Sequence, residues 1–94
     1  MRSHQKSLTG RRVLITGAAR GIGAALAERL HERGARVALA GLEPDLLAQA
    51  AAKAGAPWWH CDVADRASVE AAVDAAVGEL GGLDVVVANA GIAA

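Results

Sequence analysis

Three short runs of consecutive apolar residues recur along the chain, and polar residues do not alternate with them. They are VLIT from Val13, VALA from Val37 and VVVA from Val85. Runs of this length, rich in β-branched residues, are typical of strands that are covered on both faces, as in a parallel sheet. A fourth and weaker strand, WWHC, is predicted over residues 58–61, after a Gly-Ala-Pro turn.

Between the predicted strands, apolar residues recur with helical spacing. Ile22, Leu26 and Leu30 are spaced by four, which predicts that they share one face of a first helix, and Gly34 is placed to end that helix.

Two further helices have signals at their ends. Pro44 suits the first position of the second helix, and Gly55 is expected to close it. Asp65 is the expected N-cap of the third helix, which the pair Gly81-Gly82 would stop. The apolar positions of these two helices are Leu47, Ala50 and Ala54, and then Val69, Val73, Val77 and Leu80.

The resulting order of elements is β-α-β-α-β-α-β. Strands that alternate with helices favour right-handed βαβ units and a doubly wound parallel α/β sheet of Rossmann type, with the first strand near its middle. We expect one such partial domain over residues 1–94, with residues 1–8 as a flexible leader.

Composition and charge narrow the class of protein. The chain is 53% hydrophobic and 21% charged, as expected of a globular domain. Ten basic residues balance ten acidic ones, which argues against nucleic acid or a membrane surface as a partner. No stretch has the pattern of a secretory signal or a membrane span, and the single cysteine cannot form an internal disulfide, so we expect a cytoplasmic protein.

The WWHC segment places four chemically distinctive side chains in a row. Neighbouring residues of a strand point to opposite faces, so Trp58, Trp59, His60 and Cys61 cannot converge on one metal ion or substrate. Core packing is the favoured role for this segment, and no spacing typical of metal ligands is found elsewhere.

The segment TGAARGIG, residues 16–23, follows the first predicted strand and opens the first predicted helix. In this context Gly17 permits a sharp turn, and Gly21 and Gly23 lack the Cβ atoms that would obstruct a ligand or a neighbouring strand. The free N–H groups of the first helical turn and the helix dipole would then attract a phosphate. The alternative is a tight turn in which the glycines serve packing alone.

Four residues fall just past the ends of the four successive predicted strands. They are Gly17, Glu43, Asp62 and Asn89. In an open parallel sheet the carboxyl ends of the strands form the edge where ligands bind, so these positions predict one site.

Three motifs together resemble the short-chain dehydrogenase/reductase family. Residues 16–23 match the family's T-G-x-x-x-G-x-G, and ANAG at residues 88–91 is similar to its N-N-A-G, with Ala88 in place of the first Asn. CDV at residues 61–63 is similar to the family's D-V after the third strand. The resemblance extends over about residues 8 to 93 and implies the NAD(P)-binding half of a Rossmann-type enzyme.

The resemblance also implies roles for individual residues. Asp62 would accept a hydrogen bond from the adenine amino group beside the backbone of Val63, and Asn89 would bridge strands while its main chain lines a ribose. A helix-start role for Asp62 and a purely structural turn role for Asn89 remain as alternatives. The full set of implied cofactor-binding residues is Gly17, Arg20, Gly21, Ile22, Gly23, Glu43, Asp62, Val63, Asn89, Ala90 and Gly91.

The choice between NAD and NADP depends on Arg20 and Glu43. Arg20 could neutralise phosphate, especially a 2′-phosphate, or could be a solvated loop residue. A carboxylate at the end of the second strand binds ribose hydroxyls and favours NAD, but the family usually has its acidic residue where Gly41 stands and an NADP-preferring arginine where Leu42 stands. Glu43 comes later, before Pro44, where it could instead complement the helix dipole. The sequence favours NAD, since no arginine follows the strand.

No catalytic residue is identified in this chain. Catalysis in the family uses a tyrosine, a lysine four residues later and a serine, whereas this chain has no tyrosine. Its lysines are Lys6 and Lys53, and its serines Ser3, Ser7 and Ser68 do not follow a later strand.

Two hypotheses follow. The first is the N-terminal half of an NAD(P)-dependent oxidoreductase, truncated and inactive alone, with a small-molecule substrate and any homo-oligomer belonging to the full-length parent. The second is a complete, non-catalytic nucleotide-binding or interaction module. A third class, another Rossmann-type enzyme such as a methyltransferase, is disfavoured by the N-A-G signature.

Overall fold

A computed structural model describes residues 8–89. The predicted order of elements is confirmed, although the third strand ends one residue earlier than expected. The predicted leader falls mainly on residues 1–7, which lie outside the described residues. The strands are β1 (Arg12–Thr16), β2 (Arg36–Gly41), β3 (Trp58–His60) and β4 (Val85–Ala88), and the helices are α1 (Gly21–Glu32), α2 (Pro44–Ala54) and α3 (Arg66–Leu80).

All strand pairs are parallel, and the strands lie in the order β3-β2-β1-β4. Val13 of β1 lies opposite Val37 of β2 on one side and Val85 of β4 on the other. The first strand is therefore internal and the strand order reverses beside it, which confirms the predicted doubly wound sheet.

Helices cover both faces of the sheet and divide the core into two layers. Alternate residues of β1 point to opposite faces, so Ile15 packs in one layer and Leu14 in the other. One layer is formed with α1 and α2 and contains Val13, Ile15, Ala27, Val37, Leu39, Leu47, Ala50, Ala51 and Ala54. The other is formed with α3 and contains Leu14, Ala38, Ala40, Cys61, Ala72, Ala76 and Leu80.

Small residues bring two of the helices onto the sheet. In α1 the buried residues are Gly23 and Ala27, whereas Ile22 is 77% exposed, so the prediction that Ile22 shares the packed face was wrong. In α3 the buried positions are Ala72, Ala76 and Leu80, and Val77 is exposed. Glycine and alanine permit a closer approach between helix and strand than branched side chains do, so they occupy the contact line.

The predicted helix ends are confirmed. The carboxylate of Asp65 accepts a hydrogen bond from the backbone N–H of Ala67 at 3.0 Å, as an N-cap does. Pro44 opens α2, and Gly55 closes it with a left-handed φ of 58°.

Arg12 and Asp84 are joined at the amino end of the central strands. The guanidinium donates two hydrogen bonds of 3.0 Å to the two carboxylate oxygens, and the backbone N–H of Arg12 donates a third, of 2.9 Å. The side-chain bonds, followed by the backbone bond, lower the pKa of Asp84 from 3.8 to about 2. This contact lies at the opposite end of the sheet from the predicted ligand edge.

Candidate nucleotide-binding site

The four residues predicted to share one edge follow the carboxyl ends of four parallel strands. β1 ends at Thr16, β2 at Gly41, β3 at His60 and β4 at Ala88. Gly17, Glu43, Asp62 and Asn89 each come one or two residues after these ends. Parallel strands bring these ends to the same edge of the sheet, at the point where the strand order reverses.

The turn between β1 and α1 has the backbone that its glycines predict. Gly17 has a φ of 64° and Gly21 a φ of 62°, values that favour glycine. A Cβ on Gly21 would meet no atom within 4 Å, so this part of the turn faces open space. Among residues 8–89, no side chain caps the start of α1, and the first-turn N–H groups are left for an external acceptor.

Gly23 lacks a side chain for a different reason, which is its close approach to Gly17 and Asn89. A Cβ at this position would lie 2.4 Å from the carbonyl oxygen of Gly17 and 2.7 Å from the side-chain nitrogen of Asn89. The same nitrogen donates a hydrogen bond to the carbonyl oxygen of Gly17 at 3.2 Å. Asn89 thus makes the strand-bridging contact that the family resemblance implies, and it does so through the glycine turn.

A second bond joins the same two strand ends. The hydroxyl of Thr16, a buried residue, donates to the carbonyl oxygen of Val87 at 3.4 Å. The first and the last of the sequence motifs are therefore in direct contact.

Asp62 has one carboxylate oxygen engaged by its own loop. Oδ1 accepts a hydrogen bond from the backbone N–H of Ala64 at 2.9 Å, so the helix-start alternative describes part of what this residue does. The Asp62 backbone N–H donates to the hydroxyl of Ser68 at 2.9 Å. Oδ2 has no hydrogen-bond partner within residues 8–89. The role of Ser68 as a support for this loop could not be predicted from the sequence, because only the fold brings its hydroxyl to the Asp62 backbone.

Arg20 and Glu43 pair with each other. Nε of Arg20 donates to Oε1 of Glu43 at 3.1 Å, and a terminal guanidinium nitrogen donates to Oε2. Arg20 is the N-cap residue of α1 and Glu43 that of α2, and neither side chain caps its own helix. The sequence gives Arg20 and Glu43 separate possible roles in cofactor choice, whereas in the fold they form one ion pair at the ligand edge.

At the end of β2, Gly41 stands where the family usually has its acidic residue. Gly41 is buried, and a Cβ there would be 3.5 Å from Cδ1 of Leu47 and 3.7 Å from the backbone nitrogen of Ala18. A small side chain would make ordinary contacts, so glycine is not enforced by space. The next residue, Leu42, is 55% exposed, and Val63, after β3, is 40% exposed. Both residues lie at the ligand edge.

The remaining predicted positions fall into two groups. Ala90 and Gly91 lie outside the described residues. In the WWHC segment, Cys61 is buried and Trp59 packs beside it, so core packing is confirmed for these two. Trp58 and His60 are exposed, which makes the core prediction wrong for them.

Comparison with known proteins identifies the family of this chain. The sequence model of the short chain dehydrogenase family matches residues 11–94. The chain belongs to the short-chain dehydrogenase/reductase family.

One curated relative and two solved structures illustrate the likeness. D-threitol dehydrogenase of Mycolicibacterium smegmatis is 46% identical over 91 residues, which is 92% of this chain and 35% of the relative. A short chain dehydrogenase of Burkholderia cenocepacia in complex with NADP is 40% identical with a TM-score of 0.87, over 93% of this chain and 38% of that protein. A 3-ketoacyl-(acyl-carrier-protein) reductase of Brucella melitensis complexed with NADH is 33% identical with a TM-score of 0.82, over 85% and 34%. The chain spans about a third of the length of the curated relatives that it matches.

The comparisons also bear on the class of fold. The TM-scores of 0.82 and 0.87 show that this chain shares its fold with the two dehydrogenase/reductase structures, in agreement with the partial Rossmann-type sheet that the strand order defines here. Within residues 8–89, no helix has the length and apolar character needed to cross a membrane.

Proposed function

We propose that this chain is the nucleotide-binding part of an NAD(P)-dependent oxidoreductase that transfers hydride between nicotinamide and an alcohol or carbonyl compound. The observation that carries the proposal is the uncapped start of α1 behind an open glycine turn. Backbone N–H groups and the positive end of a helix dipole together suit the diphosphate of a dinucleotide. The NADP and NADH in the two similar structures support the same class of cofactor.

Each part of the cofactor has a candidate partner at the ligand edge. The diphosphate would lie over the N–H groups of Gly21, Ile22 and Gly23. The adenine would lie beside Val63, with its amino group donating to Oδ2 of Asp62. The exposed side chains of Leu42 and Val63 provide apolar contact for the adenine ring.

The two ribose groups complete the arrangement. The main chain of Asn89, Ala90 and Gly91 would line one ribose, and the carboxylate of Glu43 would accept from the hydroxyls of the adenosine ribose. Since a carboxylate here favours a 2′-hydroxyl over a 2′-phosphate, we propose that NAD is preferred to NADP. Bound nicotinamide supplies or accepts the hydride.

Catalytic and substrate-binding residues would belong to other parts of a longer protein. The chain contains no tyrosine and therefore lacks the acid/base that the family uses. We propose that it binds the dinucleotide weakly and catalyses no cofactor oxidation or reduction alone. We also propose a cytoplasmic location, which the single cysteine supports because it cannot form an internal disulfide.

Binding can be tested by NMR titration of the isotopically labelled 94-residue chain with NAD, which also reports whether the chain is folded. We expect the amide signals of Gly21, Ile22 and Gly23 to shift at millimolar NAD and to shift less with adenosine, which lacks the diphosphate. A folded spectrum with no amide shift at saturating NAD would overturn the proposal.

A pair of variants tests the adenine contact. Asp62→Asn replaces one oxygen with a donor, so we expect NAD affinity to fall about tenfold, the loss typical of a hydrogen bond to a charged group. Asp74→Asn removes a carboxylate on an exposed part of α3 and should leave NAD affinity unchanged. Equal affinities for both variants would count against the role of Asp62.

A further inference from the structure

The contact between Arg12 and Asp84 continues the pairing of β1 with β4 by one step at the amino end of the sheet. In the ladder, each residue of β1 lies opposite the residue 72 positions later, beginning with Val13 and Val85, and Arg12 and Asp84 have the same separation. The backbone N–H of Asp84 donates to the carbonyl oxygen of Arg12 at 2.8 Å. The Asp84 carboxylate accepts three bonds from the backbone and guanidinium of Arg12, so all of these bonds belong to one register of the two strands.

Asn89 and Gly17 continue the same register at the other end of β4. They are also 72 positions apart, and the side chain of Asn89 binds the carbonyl oxygen of Gly17. A slip of β4 by one residue would move its two ends by about 3.3 Å along β1 and break both contacts together. The contact at one end of β4 is therefore coupled to the contact at the other.

The apolar side chains of β4 specify this register only weakly. Residues 85–87 are three consecutive valines, so a shift by one residue puts one valine in the place of another. Val85 and Val86 point to opposite faces of the sheet and are 43% and 50% exposed, so neither of them distinguishes a buried face from a solvated one. Within residues 8–89, β4 pairs only with β1. The polar contacts at the two ends of β4 are therefore what specifies its register.

The guanidinium of Arg12 is itself held in place by the turn before β4. Its Nη1 donates to the carbonyl oxygen of Gly81 at 2.9 Å. The α-carbon of Gly82 faces the guanidinium so closely that a Cβ there would overlap Nη1. Arg12 thus binds the turn and Asp84 with one planar group, which the single ammonium group of a lysine could not reproduce.

We propose that Arg12 and Asp84 are positioning residues of the nucleotide site: from the opposite end of the sheet they fix the register of β4 and so hold the side chain of Asn89 on the carbonyl oxygen of Gly17. The inference rests on the proposed nucleotide-binding function. Without the pair, molecules with a shifted or frayed β4 become more populated, and in these the glycine turn loses its contact with Asn89. If the paired register falls to about a tenth of the molecules, NAD affinity falls about tenfold.

Two variants test this positioning role in the isotopically labelled 94-residue chain. Asp84→Ala removes the carboxylate, and Arg12→Lys retains the positive charge without the planar guanidinium. In both variants we expect the side-chain amide signals of Asn89, about 16 Å along the strand from Asp84, to shift in the NMR spectrum without any ligand. NAD affinity, measured by titration of the same samples, should fall by up to about tenfold. If Asp84→Ala does not fold, Arg12→Lys gives the same two measurements.

Arg36→Gln is the matched control. The guanidinium of Arg36 lies at the same end of the sheet and donates to the carbonyl oxygen of Leu80 at 2.9 Å, so it binds the end of α3 as Arg12 binds the turn after it. Within residues 8–89 it makes no hydrogen bond to β4. This substitution should therefore change neither the Asn89 signals nor NAD affinity, even if it lowers stability.

The outcomes separate this inference from the proposed function. The inference is overturned, and nucleotide binding stands, if the folded variants bind NAD as tightly as the unsubstituted chain, if NAD affinity falls while the Asn89 signals stay in place, or if Arg36→Gln has the same effects. If NAD shifts no amide signal of the folded, unsubstituted chain, the proposed function fails. The Asn89 signals of the variants alone then decide whether the pair of Arg12 and Asp84 sets the register of β4.

Discussion

The side-chain nitrogen of Asn89 donates a hydrogen bond to the carbonyl oxygen of Gly17 at 3.2 Å and ties the end of β4 to the turn after β1. The α-carbon of Gly23 faces this bond so closely that a Cβ would lie 2.4 Å from the oxygen and 2.7 Å from the nitrogen. The glycine turn and the asparagine are therefore one packed unit, and neither can be altered without affecting the other.

Gly23→Ala should destabilise this unit. The added methyl group would meet a backbone oxygen, which cannot rotate away as the end of a side chain can, so we expect the free energy of unfolding to fall by about 1–3 kcal/mol. Urea denaturation measures the change.

Gly78→Ala is the matched control for this substitution. Gly78 lies within α3, and a Cβ there would meet no atom within 4 Å. Alanine should raise the free energy of unfolding by about 0.5–1 kcal/mol, because it restricts the unfolded chain and favours helix. A Gly23→Ala chain as stable as the Gly78→Ala chain would contradict the packed unit.

Asn89→Leu tests the donor of the same unit. Leucine has a similar size but cannot donate to Gly17, so we expect the free energy of unfolding to fall by about 1 kcal/mol and NAD affinity to fall with it. Thr16→Val removes the longer bond to Val87, of 3.4 Å, and should cost less in both measurements. Urea denaturation and NAD titration measure the two losses. If Thr16→Val loses more stability and more NAD affinity than Asn89→Leu, this ranking is wrong.

The elements could be predicted from the sequence because their signals are local. The apolar run VLIT marks β1. Gly55 ends α2 and Asp65 begins α3, and each does so through hydrogen bonds to residues at most four positions away. The parallel sheet then brings the strand ends to one edge, so the common edge of Gly17, Glu43, Asp62 and Asn89 also followed from the sequence.

The contacts between distant residues could not be predicted in the same way. Arg20 and Glu43 are 23 positions apart, and their pairing depends on how α1 and α2 pack together. The exposed Ile22 was expected on the packed face of α1, because helical spacing identifies a face but not whether glycine and alanine will give closer contact with the sheet. The hydrogen bonds between Arg12 and Asp84 could not be predicted from the local sequence either, because the two residues are 72 positions apart.

Stability at acid pH should depend on Asp84. Its pKa is about 2 in the folded chain against an ordinary value of 3.8, so the unfolded state binds more protons between these values. The stabilisation is complete above about pH 4 and is lost as the pH falls toward 2. Asp84→Asn should therefore be less stable than the unsubstituted chain at pH 7, with the difference shrinking as the pH falls below 4.

Arg12→Gln provides the check on this pH dependence, with urea denaturation at a series of pH values as the measurement. Because the Arg12 side chain is the main cause of the low pKa, Arg12→Gln should also reduce the acid-dependent loss of stability. The double variant should add little to either single variant. Both side chains are partly exposed, so 1 M salt should weaken the effect. An unchanged pH dependence in Arg12→Gln would contradict the assignment.

The edge of β4 should make the 94-residue chain self-associate. Within residues 8–89, β4 pairs only with β1, and Val85 and Val86 are 43% and 50% exposed on opposite faces of the sheet. Val85 also lines an apolar cavity of about 310 Å³ beside Leu26 and Leu30. An edge with free N–H and C=O groups and apolar side chains favours strand pairing with another copy, and a lysine on it opposes such pairing.

Val86→Lys should therefore raise the concentration at which the chain self-associates. The increase should be roughly tenfold if placing the lysine in the interface between two copies costs about 1.4 kcal/mol. Sedimentation velocity over a range of concentrations measures this. Val77→Lys is the matched control, because Val77 is 41% exposed but lies on helix α3 and not on a strand. If the edge drives association, only the β4 variant should change it. Equal effects of the two lysines would point to general apolar contact instead, and a chain that stays monomeric at high concentration would rule out the edge as an association site.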